Sequence, residues 1–104
     1  MIDLQVAETI LEQLGGREFT VMTGAKNFVG SPTTLSFSLP GAGGFCKNGI
    51  NRVVITLEPS DTYTVQFYRI RRGSALVLVA NHTDIYYDGL QELFTRETGL
   101  AVSL

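Results

Sequence analysis

The run from Thr62 to Arg71 gathers the side chains best suited to hold a ligand. Under strand alternation, one face carries Tyr63, Val65, Phe67, Arg69 and Arg71, and the other carries Thr62, Thr64, Gln66, Tyr68 and Ile70. Whichever face turns outward shows a ring, and the run ends in arginines. Stacking rings beside guanidinium groups are what bases and phosphates require. With Thr64, Gln66 and Tyr68 outward, Arg52 and Thr56 together with Thr34, Ser36 and Ser38 complete a polar sheet surface. A solvated sheet face with no ligand shows the same alternation.

Other constellations carry less. His82 is the one histidine and Cys46 the one cysteine. This leaves no histidine pair for a metal and no multi-cysteine zinc site. A Cys46–His82 dyad needs a thiol beside a base, but the spacing does not place them together. Cys46 is expected to be a small buried hydrophobe, and His82 a surface or capping residue. Asp84, Asp88 and Glu92, four apart on an expected helix, share one face. They read as a solvated stripe, not a cation site, because they match no calcium-loop pattern. Gly41-Ala42-Gly43-Gly44 with Lys47 nearby can converge amides on an anion. A phosphate loop, however, needs Lys and Ser/Thr directly after its last glycine and then a helix; here a strand follows. A flexible hairpin loop is the simpler reading. The expectation is therefore a binding protein and not an enzyme, with no cofactor or metal.

Charge is split along the chain. Residues 1–16 carry Asp3, Glu8 and Glu12 and no base, a net −3, and residues 73–104 are also −3. Between them, residues 17–72 stand at +4, so the overall −2 conceals a basic middle. Solvation of outer faces explains such blocks as readily as a ligand does. The 104 residues, 44% hydrophobic and 17% charged, suit one domain over 1–104 with a single core. No run reaches the roughly 18 apolar residues of a membrane span, and no charged-then-apolar leader is seen. The single cysteine fits a reducing cytoplasm.

The elements that must position these residues follow from periodicity. Leu4, Ala7, Leu11 and Leu14 predict a helix over 3–14, capped by Asp3 and stopped by Gly15-Gly16. Residues 18–22 predict a strand with Phe19 and Val21 on one face, and 23–27 a turn or loop. Residues 34–39 alternate cleanly, with Leu35, Phe37 and Leu39 inward. Strands are expected at 52–58, 62–71 and 75–80, separated by short turns that require antiparallel pairing. The run 75–80 is apolar on both faces and must be covered on both sides or lie in a subunit contact. A helix is expected from Asp84 to Gly99, capped by Asn81, Thr83 or Asp84, with Tyr86, Leu90, Leu93 and Phe94 on its buried face. The tail from Leu100 should pack back. The sum is a two-layer α+β domain: an antiparallel sheet of about five strands with an N-terminal and a C-terminal helix on one face.

Several phrases are similar to a recurrent family of small proteins encoded by phages, prophages and other mobile elements of bacteria. They are Gly15-Gly16-Arg17-Glu18-Phe19, Met22-Thr23-Gly24-Ala25-Lys26-Asn27-Phe28, Asp61-Thr62-Tyr63 and Leu90-Gln91-Glu92-Leu93-Phe94-Thr95. The Met-Thr-Gly-Ala-Lys-Asn-Phe run is the most specific. The resemblance implies a small accessory protein in the cytoplasm of a bacterial host, one that binds rather than catalyses and counters host defence. Within the phrase, Gly24 marks a backbone position of unusual dihedrals, and Lys26 and Asn27 are anion or amide contacts or else parts of a structural turn.

The expected partners are a host defence protein or its nucleotide signal. The alternative is single-stranded nucleic acid held on a basic, aromatic sheet face. A homo-oligomer is expected, with no membrane partner. The candidate contacts are Lys26, Asn27, Lys47, Arg52, Tyr68, Arg69 and Arg71.

Overall fold

A computed structural model describes residues 4–40, 49–70 and 76–102. The elements run α1 (Gln5–Leu14), α2 (Gly16–Thr23), β1 (Lys26–Gly30), β2 (Thr34–Ser38), β3 (Arg52–Leu57), β4 (Tyr63–Ile70) and β5 (Leu76–Ile85). A 3-10 turn (Tyr87–Gly89) leads into α3 (Leu90–Thr98). The strands form one antiparallel sheet in sequence order, β1-β2-β3-β4-β5. Each neighbour in sequence is a neighbour in space, the arrangement that short turns favour. The helices lie against one face, so the α+β architecture expected from periodicity is the one found.

The core lies between that face and the helices. From the sheet it takes Leu35, Phe37, Val53, Ile55, Val65 and Phe67, and from the helices Ile10, Leu14, Phe19, Leu90, Leu93 and Phe94. Phe19 sits edge-on to both Phe37 and Phe94, with ring centroids 5.4 and 5.1 Å apart. Such edge-to-face contacts add to the area term. Tyr63 is buried too and donates a hydrogen bond to Gln13 Oε1 at 2.7 Å. Of the tail, Leu100 packs on the core and Val102 is buried, as expected.

Residues 18–22 are not a strand. They belong to α2, where Phe19 is fully buried and Val21 is 72% exposed, so the two do not share a face. A short apolar run fits either period, and packing decides. Gly15 and Gly16, with φ of 127° and 59°, redirect the chain between α1 and α2. Thr20 and Thr23 then donate their hydroxyls to the carbonyls of Gly16 and Phe19, four residues back. Gly24 closes α2 with φ 72°, the left-handed position that glycine fills without a Cβ penalty. The fifth strand is instead β1, which starts at Lys26 within the 23–27 segment expected to be a turn or loop and runs on to Gly30.

The second correction lies after β5. That strand continues to Ile85, well past Ala80, and α3 begins at Leu90 with Gly89 as its cap. Asn81, Thr83 and Asp84 are strand residues and cap nothing. Asp84 takes φ 57° at a register shift against β4. Tyr86 is 65% exposed and outside the helix. Asp84, Asp88 and Glu92 occupy a strand, a 3-10 turn and a helix, so they form no helical stripe. Asp3 and the glycine-rich residues 41–48, with Cys46, lie outside the described residues.

Candidate functional site: the open face of the sheet

Alternation sends every second strand residue away from the helices, and antiparallel register lines those residues into rows. In one row Lys26 pairs with Ser38, Ser38 with Arg52, Arg52 with Tyr68, and Tyr68 with Leu78. The next row is Val29, Ser36, Val54, Gln66 and Asn81. A third joins Thr34, Thr56 and Thr64. Among the described residues no helix covers this face. Neighbouring strands stand about 4.8 Å apart, so the step from Tyr68 across Arg52 to Lys26 spans about 14 Å.

Arg52 is the best-positioned group. One guanidinium nitrogen donates to Ser38 Oγ at 3.1 Å and the other to Ser36 Oγ at 2.9 Å. Both acceptors are hydroxyls, so the pair of bonds fixes the fork, and among the described residues no carboxylate pairs with its charge. The three rows hold Lys26 and Arg52 and no carboxylate. The acids Glu8, Glu12, Glu18, Glu92 and Glu97 sit on the helices, on the opposite layer. Two bases of the middle of the chain, Lys26 and Arg52, thus reach a hydroxyl-rich sheet face, while Glu8, Glu12, Glu92 and Glu97 from the acidic ends lie in the helical layer. A planar fork, a lysine, five Ser/Thr hydroxyls and an adjacent ring can hold a phosphate and stack a base.

Of the seven residues singled out by sequence, the structure brings together Lys26, Arg52 and Tyr68. Arg69 has the parity of Phe67 and lies on the helix-side face, across from Val77. Its aliphatic stem runs past Gly49, where an added Cβ would lie 3.0 Å from Cδ. Asn27 is exposed in the bulge of β1, with φ 56°. Lys47 and Arg71 lie outside the described residues. Ser36 and Ser38 orient Arg52, a role sequence reading did not give them. The signal for it was the Thr-x-Ser-x-Ser spacing opposite an arginine strand.

His82 is not a cap. It lies on the helix-side face of β5, with Nε2 3.2 Å from Glu97 Oε1 and its ring edge-on to Phe67. The contact ties β5 to α3. Among the described residues no three His, Cys, Asp or Glu side chains converge on a metal-sized site. No described helix is long and apolar enough to cross a membrane. Among the described residues, a shallow concavity of about 190 Å³ lies on the helical side among Leu4, Ala7, Leu11, Phe28 and Leu35, and another of about 490 Å³ between α3 and Val102. Neither includes a residue of the cationic row.

Comparison of the chain with protein-family models, with curated proteins and with solved structures finds no match.

Proposed function

We propose that this is a non-enzymatic binding protein of the phage and mobile-element kind, acting in the cytoplasm of a bacterial host. It counters a host defence system by holding that system's nucleotide signal on the open face of the sheet. The observation that carries the reading is the row Lys26–Ser38–Arg52–Tyr68, free of carboxylates and with its guanidinium already oriented. Tyr68 offers a stacking surface for the base, Arg52 a fork for the adjacent phosphate, and Lys26 a second cation for a further phosphate. An acidic surface of a defence protein would meet the same charges but would leave the Tyr68 ring without a specific task.

The second reading is a single-stranded nucleic-acid-binding protein, favoured by the same ring beside the same cation. The two part on length and salt. A strand binder gains affinity with oligonucleotide length and loses it steeply with salt as counterions return to the phosphates. A nucleotide binder saturates at one small ligand with a shallow salt slope.

The test is to denature freshly purified protein and identify released small molecules by mass spectrometry, then to titrate mono-, di- and cyclic nucleotides and short oligonucleotides by calorimetry. A stoichiometric nucleotide whose affinity falls with Arg52→Ala is the expected result. Ligand-free protein that binds none of these at millimolar concentration overturns the reading and directs the search to protein partners.

A further inference from the structure

We infer that the free edge of β5 pairs with β5 of a second copy of this chain. The sheet ends in two edge strands, and they are built differently. β1 is five residues long, carries Lys26, and is broken by a bulge between Lys26 and Val29 with Asn27 at φ 56°. Shortness, a lysine and a bulge are the devices by which natural sheets refuse edge-to-edge pairing. β5 is ten residues long, and its first half, Leu76-Val77-Leu78-Val79-Ala80, has no charge and no proline.

That half also exposes apolar side chains on both flanks. Leu76 and Leu78, 55% and 50% exposed, share the open-face side with Ile70, while Val77, 41% exposed, is on the helix side. A molecule stacked on one face of the sheet covers one flank. A strand added to the edge covers both and also meets the backbone N–H and C=O groups that, among the described residues, have no strand beside them.

A second copy fits because an antiparallel pair about a two-fold axis sets like against like. An uncharged apolar strand is its own complement, with no repulsion to overcome. One register shift falls at Val79, inside the apolar half, and the other near Asp84, so the regular stretch open to pairing is the end Leu76-Val77-Leu78. A contact of this extent belongs to the small class of specific interfaces, below about 1,200 Å² in total. A weak dimer that responds to protein concentration is expected of that class. Pairing would join two sheets into one and set the row ending at Leu78 beside its symmetry mate. The inference stands on the strand edge alone and does not depend on what the open face binds.

Sedimentation velocity over 1–500 micromolar protein tests it, with Leu76→Lys and Val77→Lys on opposite flanks and Thr83→Lys as the control beyond the paired half. The expected result is a concentration-dependent rise from 11.4 kDa to twice that mass. Each of the two flank variants should weaken the dimer at least tenfold, Thr83→Lys should leave it intact, and all three should keep the circular dichroism of the parent. A monomer throughout overturns the inference and leaves the edge to a foreign strand. A dimer sensitive to Leu76→Lys but not Val77→Lys also overturns it, because that pattern marks stacking through the open face.

Discussion

Arg52 and Tyr68 stand directly opposite each other on β3 and β4, both on the face turned away from the helices. They are sixteen positions apart in sequence, and the antiparallel register makes them cross-strand neighbours about 5 Å apart. Arg52 is held on its other side by Ser36 and Ser38, so its guanidinium is fixed toward β2 while Tyr68 stands on the strand at its other flank. Arg52→Ala should lower ligand affinity at least tenfold, equivalent to about 1.4 kcal/mol. Arg52→Lys should recover part of the charge effect but not the fork. Arg69→Ala, on the opposite face, should leave affinity unchanged. Titration calorimetry of the three variants separates these outcomes.

The helical nature of residues 16–23 can be tested by a pair of substitutions. Phe19→Ala removes a ring buried between Phe37 and Phe94 and should cost about 3–5 kcal/mol. Val21→Lys, at a 72% exposed position, should shift stability by no more than about 0.5 kcal/mol. Were the segment a strand, both changes would be severe. Urea denaturation of each variant decides.

Gly30 sits where α1 approaches the sheet. A Cβ there would lie 2.8 Å from Leu4 Cδ2 and 2.9 Å from Ala7 Cβ. The leucine tip can rotate aside, but Ala7 is held by the helix backbone. Gly30→Ala should therefore destabilise by about 1–3 kcal/mol as α1 is pushed outward, and adding Ala7→Gly should restore part of the loss. A thermodynamic cycle built from the four melts measures that coupling.

Burial raises the Tyr63 phenol above its ordinary value of 10.0. The folded state thus retains the proton more tightly than the unfolded chain. Its contribution to stability is complete below about pH 10 and is lost as pH climbs through the raised value. Tyr63→Phe gives up the hydrogen bond to Gln13, about 1 kcal/mol at neutral pH, and has no proton to lose. The stability gap between parent and variant should narrow as pH rises past 10. Denaturant melts from pH 7 to 11 follow it, and a gap that widens contradicts the assignment.

Much of the architecture is legible in the amino-acid sequence. Strict alternation over 34–39 and along the fourth strand sets a period of two. The turn Pro59-Ser60-Asp61 is too short for a parallel crossover, so the strands it joins must be antiparallel. Alternation also sorted Tyr68 from Arg69 onto opposite faces, although which face would be open depended on where the helices packed. Residues 16–23 were ambiguous because Phe19 and Val21 satisfy a strand while Phe19 and Thr23 satisfy a helix. The aromatic contacts to Phe37 and Phe94 resolve that choice, and both partners are distant in sequence. Asp84 resembled a helix start because aspartate is a common cap, yet β5 continues through it by way of a left-handed residue.

The sequence by itself determined the composition of each face: which residues alternate, which charges lie in the basic middle, and which strand lacks edge protection. The tertiary structure decided what stands beside what. Lys26, Ser38, Arg52 and Tyr68 form a row because four strands pair in one register, with a bulge in β1 that returns Lys26 to that row. Local pattern sets the side on which a residue points. Hydrogen-bonded pairing between distant segments sets its neighbours, and no spacing along the chain encodes that pairing alone.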